Sequence, residues 1–235
     1  MYIPCVRVLL NVDLGELPGE PDELYGIADL ANVACGGHAG DDASMAHALA
    51  ECVRRGAAPG AHPSYPDREG FGRKPMAMPV AQLEREVSAQ CARLGEHAQR
   101  AGERIGYVKP HGALYHAADA DLALAAAVVN GARAALGESI AIIGAAGGAL
   151  ATTTERAGMP FLREGFADRA RVRGPDGRWH LVPRGQPGAL IDDAAAAAAQ
   201  ALLLVEEGEI DTLCVHGDGK NALAVARAVR AAIGA

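Results

Sequence analysis

Polar and ionisable side chains recur in this sequence at one kind of place: at or just after the end of a short apolar run, with glycine or proline alongside. Asn11, Asp13 and Glu16 follow the first run; Asn32, His38 and Asp41 follow the second. His62 ends the third, and Lys109 and His111 end the fourth. Glu164, Asp168 and Arg169 follow the sixth, and His216 and Asp218 the seventh. By type these groups cover the needs of a hydrolytic site. Imidazoles exchange protons near neutral pH, carboxylates accept protons or orient water, and cations hold anionic groups. Polar residues flank strands in any fold, and a glycine there is often no more than a turn. Charges placed at random, however, would fall at both ends of the strands rather than at one.

Asp13, His62 and His111 would come from three separate strand ends. A carboxylate with two imidazoles suits a divalent metal with open positions for water. No local motif such as HExxH supports the ion, and the same histidines serve equally as acids, bases or hydrogen-bond donors without one. Lys109 directly follows an apolar strand, where desolvation would depress its pKa and make it responsive to an anionic substrate. Arg169 and Arg184 could grip a carboxylate through paired hydrogen bonds. Asn11, Asn32 and His38 are candidate substrate contacts. So are Gly147 and Gly148, whose small size would let backbone N–H groups approach an anion ahead of a short helix. His47, His97 and His180 read as solvated, and His116 as undecided.

These residues must be positioned by a framework of alternating strands and helices. Seven short apolar runs, at 6–10, 31–34, 58–61, 105–108, 140–143, 159–162 and 212–215, alternate with longer Ala-rich stretches. That alternation marks an α/β fold with a mainly parallel sheet. Helices are predicted at 43–55, 80–101, 122–136, 192–207 and 222–233. Asp41 and Asp42 stand at the start of the first of these and Pro79 before the second, while Gly102 and Gly137 close the second and third. Around 171–182, Pro175-Asp176-Gly177 between extended residues predicts a small hairpin outside this rhythm. No linker or repeat interrupts the chain, so residues 1–235 read as a single domain. Periodicity alone does not separate an open doubly wound sheet from a closed barrel. In both, ligands sit beyond the carboxyl ends of the strands.

Composition narrows the field. A net charge of -7 without charge blocks argues against nucleic acid or an anionic membrane as partner, and aromatics at 4% provide few base-stacking platforms. No run approaches the roughly 18 apolar residues of a membrane span. The apolar opening MYIPCVRVLL runs straight into polar residues with no cleavage site, so it reads as a strand rather than a signal peptide. The five cysteines are scattered with no CxxC pair, which fits a reducing cytoplasm and no thiolate zinc site. Neither GxxxxGK(S/T) nor a helix-opening GxGxxG occurs, so the chain offers no familiar nucleotide site. Self-association is left open.

Seven stretches, NVDLGE, ANVACGGHAGD, GAHPSYPDREGFGR, VKPHGALYH, EGFADR, LVPRGQPGALI and CVHGDG, follow one another between Asn11 and Gly219. In this order they resemble the LamB/YcsF family of 5-oxoprolinase A subunits over nearly the whole chain. The resemblance implies a distorted, seven-stranded TIM-like (β/α) barrel of the glycoside hydrolase/deacetylase kind. It implies ATP-dependent opening of 5-oxoproline to L-glutamate together with subunits B and C, the partners binding ATP and phosphorylating the lactam and this subunit hydrolysing it. The missing phosphate loop agrees with that division. Some positions depart from the family. Val12 stands where a cysteine is common, Gly37 where an aromatic is usual, and His116 where asparagine follows HGALY; Gly219-Lys220-Asn221 is less typical. These departures spare the acids and most of the histidines, but bear on substrate fit.

For such a reaction the expected roles follow from the chemistry of a phosphorylated lactam. Asp13 and His111 orient or deprotonate water, with or without a metal. Lys109 and Arg169 hold anionic groups, and Glu164, Asp168, His216 and Asp218 carry protons or support those that do. Two other classes fit the same residues: a stand-alone metal-dependent amide or acetyl hydrolase, and a non-catalytic subunit that binds a small carboxylate.

Overall fold

In a computed structural model that describes residues 7–175 and 177–234, the chain closes its sheet on itself. The strands are β1 (Leu9–Leu14), β2 (Leu30–Ala34), β3 (Ala58–His62), β4 (Tyr107–Val108), β5 (Ala141–Gly144), β6 (Phe161–Phe166) and, late in the chain, β9 (Thr212–His216). Their order is β1-β2-β3-β4-β5-β6-β9, and β9 pairs in parallel with both β6 and β1. That double pairing settles the question periodicity left open: the sheet is a closed barrel. Between β6 and β9 stands an antiparallel hairpin, β7 (Arg171–Arg173) with β8 (Trp179–Leu181). The guanidiniums of Arg171 and Arg173 lie over the Trp179 ring at 4.0 and 4.7 Å, which ties the hairpin together. The start proposed for the first strand at Val6, the cysteine Cys5 and the hairpin-tip Asp176 lie outside the described residues.

Helices occupy the crossovers: α1 (Glu23–Ile27), α2 (Asp42–Arg55), α3 (Val80–Arg100), α4 (Gly112–Ala120), α5 (Leu122–Leu136), α6 (Ala149–Arg156), α7 (Ala194–Glu207) and α8 (Ala222–Ile233). Local chemistry sets their ends. Asp41 and Ser44 form a reciprocal capping box at the start of α2, and Gly56 ends it in the left-handed region. Asp121 caps α5 by accepting from the N–H groups of Ala123 and Leu124. α3 and α5 pack closely at Gly131, where a Cβ would stand 2.7 Å from the Glu84 carbonyl oxygen. α1 and α4 have no counterpart among the sequence expectations; both are short, and α4 runs into α5 with only Asp121 between them. No single helix among the described residues is long and apolar enough to cross a membrane.

Two strands differ from expectation in a way that matters for the site. The first was expected to end at Leu10 and the sixth at Leu162, each just before its polar residues. Instead β1 continues through Asn11 and Asp13, and β6 through Glu164. Apolar runs mark strands only while the side chains stay apolar. Inside a barrel a strand continues through polar residues whose partners lie on the strands opposite. Asn11 and Asp13, two apart on β1, therefore project to the same face. Both reach Lys109, just beyond β4 on the far side of the barrel, so that face is the interior.

Candidate active site

Lys109 is the hub of the barrel's polar interior. Its Nζ donates to Asp13 Oδ1 (2.9 Å) and Asn11 Oδ1 (3.1 Å), approaches Cys214 Sγ (3.0 Å), and pairs with Glu164 Oε1 at 2.9 Å. Asn32 donates to Asn11 Oδ1 and Asp13 Oδ1, each at 2.7 Å, and Asn11 donates to Thr212 Oγ1. All of these residues are buried. Burial opposes charge on both ends of the central pair, but each ion outweighs that for the other. Lys109 holds the Asp13 carboxyl well below the usual range. Asp13 and Glu164 in turn hold Lys109 well above its ordinary value. The expected depression of the Lys109 pKa is thus reversed, because two carboxylates face the ammonium in the space that desolvates it.

A second cluster adjoins the first. His62 ends β3 at the barrel mouth, His111 caps α4, and Glu16 and His38 come from the turns after β1 and β2. One ligand atom from each lies within 4.8 Å of the others. Glu16 Oε1 is 2.8 Å from His38 Nε2, 3.3 Å from His111 Nδ1 and 3.8 Å from His62 Nε2. The His38 and His111 rings stack at 3.7 Å. Burial and the neighbouring imidazoles push both well below the usual histidine range, so both are neutral. Burial, then the nearby Asp13, raises Glu16 to about 8. Phe71 helps to hold the cluster in place. Among the described residues it is the one non-glycine with positive φ (55°), and its carbonyl accepts from His111 Nε2 at 2.9 Å. Gly72 follows it at φ 65°, where a Cβ would stand 2.8 Å from that of His38.

In front of both clusters opens a cleft of about 390 Å³, lined by Asp13, His62, Lys109, His111, His116 and His216 and by three arginines, Arg73, Arg169 and Arg184. His216 Nδ1 lies 3.0 Å from both carboxylate oxygens of Asp168, which also accepts the His216 backbone N–H at 2.8 Å. Asp168 thereby fixes the proton on Nδ1 and turns the Nε2 lone pair toward the cleft, 3.8 Å from Asp13 Oδ2. Although burial opposes it, His216 keeps the Asp168 carboxyl below its usual range. Arg73 is paired with Asp218, and Arg184 lies 4.0 Å from the same carboxylate. Among the described residues Arg169 has no carboxylate within ion-pairing distance. It donates to the carbonyls of Ala189 and Val182, and burial together with Arg184 lowers its pKa to about 10, still charged at neutral pH.

The arrangement sorts the sequence candidates. Asp13, Lys109, His111, Arg169 and His216 meet at the cleft; Asp168 stands behind His216, and Asp218 behind Arg73. Asn11 and Asn32 do not reach the cleft; buried within the barrel, they position Asp13 and Lys109. Glu164 sits behind Lys109 and faces a second hollow under the hairpin. His38 is 2% exposed and packs at the back of the histidine cluster rather than against a ligand. Gly147 and Gly148 lie outside the cleft, and a Cβ on Gly148 would collide with the Asp119 carboxylate, a poor neighbour for an anion. Of the metal set proposed from sequence, His62 and His111 converge with Glu16 and His38. Asp13 stands beside them, 3.5 Å from His62 Nε2. His97, expected to be solvated, packs against the protein with its Nε2 2.9 Å from Asp42. Sequence reasoning placed Glu16 at a strand end without giving it a role, and passed over Arg73 and Cys214. Glu16 and Arg73 close the NVDLGE and GFGR stretches, and in each the signal was a charge next to a glycine.

Residues 8–235 match the LamB/YcsF family. The A subunit of a 5-oxoprolinase from Methylococcus capsulatus is 45% identical to this chain over 238 residues, covering 94% of this chain and 90% of that protein. The crystal structure of a lactam utilization protein from Thermus thermophilus superimposes with a TM-score of 0.87 at 34% identity, over 97% of this chain and 96% of that one.

Proposed function

The chain belongs to the LamB/YcsF family, and we propose that it is the ring-opening subunit of an ATP-dependent 5-oxoprolinase, working with subunits B and C to convert 5-oxoproline to L-glutamate. The observation that carries this reading is an Asp168-oriented His216 lining one cleft with Arg169, in a chain 45% identical to a protein named as a 5-oxoprolinase A subunit.

A lactam is a stable amide, so its carbonyl needs activation before water can add. In this reading the partner subunits transfer the ATP γ-phosphoryl group to the lactam oxygen. Water then adds to that carbon, the ring C–N bond breaks with a proton delivered to nitrogen, and the resulting acyl phosphate is hydrolysed to glutamate and phosphate. His216 Nε2 is the base for water, and once protonated it is the acid for the ring nitrogen. Its imidazolium would face two carboxylates that remain ionised, Asp168 and Asp13. Asp13, held charged by Lys109, is too weak a base to take the proton and serves as electrostatic support. Lys109 is fully engaged with the barrel interior, which leaves Arg169, with Arg184, to hold the substrate's carboxylate or phosphate. Glu16, His38, His62 and His111 would hold a divalent ion if one is used, and the ion would supply a Lewis acid beside the reacting carbonyl.

The histidine cluster favours a second reading, an amide hydrolase that acts alone. Mixing the chain with subunits B and C, ATP and 5-oxoproline separates the two. The present reading expects glutamate only from the complete mixture, with phosphate released in equal amount. Glutamate from the chain alone, without ATP, would establish the other.

A further inference from the structure

His62 and His111 each spend their only neutral-state N–H on a backbone carbonyl. His62 Nδ1 lies 2.7 Å from the Lys109 oxygen, and His111 Nε2 lies 2.9 Å from the Phe71 oxygen. A carbonyl only accepts, so the protons are on those nitrogens and the other two carry lone pairs. The two lone-pair nitrogens, His62 Nε2 and His111 Nδ1, nevertheless face each other at 3.0 Å. Glu16 Oε1 stands 3.8 and 3.3 Å from them, and His38 Nε2 joins it at 2.8 Å. Two imidazole lone pairs thus converge with a carboxyl oxygen and a third imidazole nitrogen on one point. Glu16 Oε2 and His38 Nδ1, both buried, make no hydrogen bond among the described residues.

We propose that Glu16 Oε1, His38 Nε2, His62 Nε2 and His111 Nδ1 bind one divalent transition-metal ion of zinc-like preference. Three imidazoles and a carboxylate are a borderline nitrogen-rich set that suits zinc rather than magnesium or calcium. Four of the six ligand-to-ligand separations, 2.8, 3.0, 3.3 and 3.8 Å, lie around the roughly 3.3 Å edge of a tetrahedron with metal bonds of about 2.0–2.1 Å, and all four residues offer a ligand atom within 4.8 Å of the others. Backbone carbonyls on the far nitrogens of His62 and His111 are the outer contacts that fix the tautomer of a metal-binding imidazole. His62 and His111 also line the cleft, so the ion would lie at its inner wall while Glu16 and His38 close the buried side. The site stands on side-chain geometry alone; only its use in ring opening rests on the function proposed above.

The test is made on the full chain without ATP, 5-oxoproline or partners. Metal content is measured after purification. The chelator-stripped chain is then titrated with zinc by calorimetry, and with cobalt by its visible absorption. One saturable equivalent per chain is expected, with a cobalt spectrum of nitrogen and oxygen ligation. Glu16→Gln and His111→Gln should each weaken zinc by more than about 100-fold, since even outer-contact losses cost about 10–100-fold. Asp168→Asn, which touches none of the four ligands, should bind as the parent does. Failure of the folded parent chain to bind zinc or cobalt saturably would overturn the site, whatever the variants do. So would binding that survives unchanged in folded Glu16→Gln and His111→Gln. A chain that binds no ion yet supports glutamate release in the complex would sink the metal site and leave the hydrolytic reading standing. Metal binding without glutamate release would do the reverse.

Discussion

Replacing Lys109 with methionine removes the barrel's central cation while keeping a side chain of similar length. Its ammonium is 2.9 Å from both Asp13 Oδ1 and Glu164 Oε1, and all three side chains are at most 3% exposed. Solvent cannot replace it, so the variant leaves two carboxylates facing each other without a counter-ion. Breaking a buried pair in this way costs about 3–5 kcal/mol. For a chain of this size each kcal/mol is worth about 2–4 °C, so Tm should fall by about 6–20 °C. Urea denaturation followed by far-UV circular dichroism measures the loss directly, as a lower midpoint at unchanged slope. The double variant Lys109→Met with Glu164→Gln should recover about 1 kcal/mol or more, because it removes one of the stranded charges. A loss under about 1 kcal/mol for the single variant, or no recovery in the double, would show that Lys109 is solvated and refute its role as hub.

Two further outcomes follow from local geometry. Gly72→Ala puts a Cβ at φ 65° and within 2.8 Å of the His38 Cβ; overpacking and strain should cost about 1–3 kcal/mol, read by the same denaturation. Arg169→Gln should raise KM for the activated substrate by about 10-fold or more, the worth of one charged hydrogen bond, with kcat little changed. Steady-state kinetics of the reconstituted complex would read it, and an unchanged KM would assign the anion to Arg73 or Arg184.

The sequence made the α/β alternation and the end of the strands that carries the chemistry legible, because glycine and proline punctuate the chain beside the ionisable groups. Helix ends were readable where a side chain enforces them, as Asp41 does. Barrel closure was not readable from periodicity, since it depends on β9 pairing with β1 across almost the whole chain. Nor was the polar barrel interior. Asp13 and Glu164 interrupt apolar runs that in fact continue as strands, and only the partners opposite explain why they can. The inversion of the Lys109 pKa has the same origin: desolvation is a local inference, whereas Asp13 and Glu164 arrive from other strands. The place of Glu16 in the histidine cluster escaped notice because its histidine partners are spread from residue 38 to residue 111. The Asp168–His216 pair spans 48 residues of sequence and yields its tautomer only in three dimensions.

If the activated ring opens in this chain's cleft with His216 moving the protons, Asp168→Asn is the variant that must reveal it. It keeps the shape of the side chain while disturbing the tautomer and removing the charge that orients His216. In the complex with subunits B and C, supplied with ATP and 5-oxoproline, glutamate should form about 10²–10⁴-fold more slowly than with the parent chain. KM for 5-oxoproline should stay near its parent value, and the folded variant should still assemble with its partners. Glutamate formation at the parent rate would contradict this assignment and place the chemistry elsewhere in the complex.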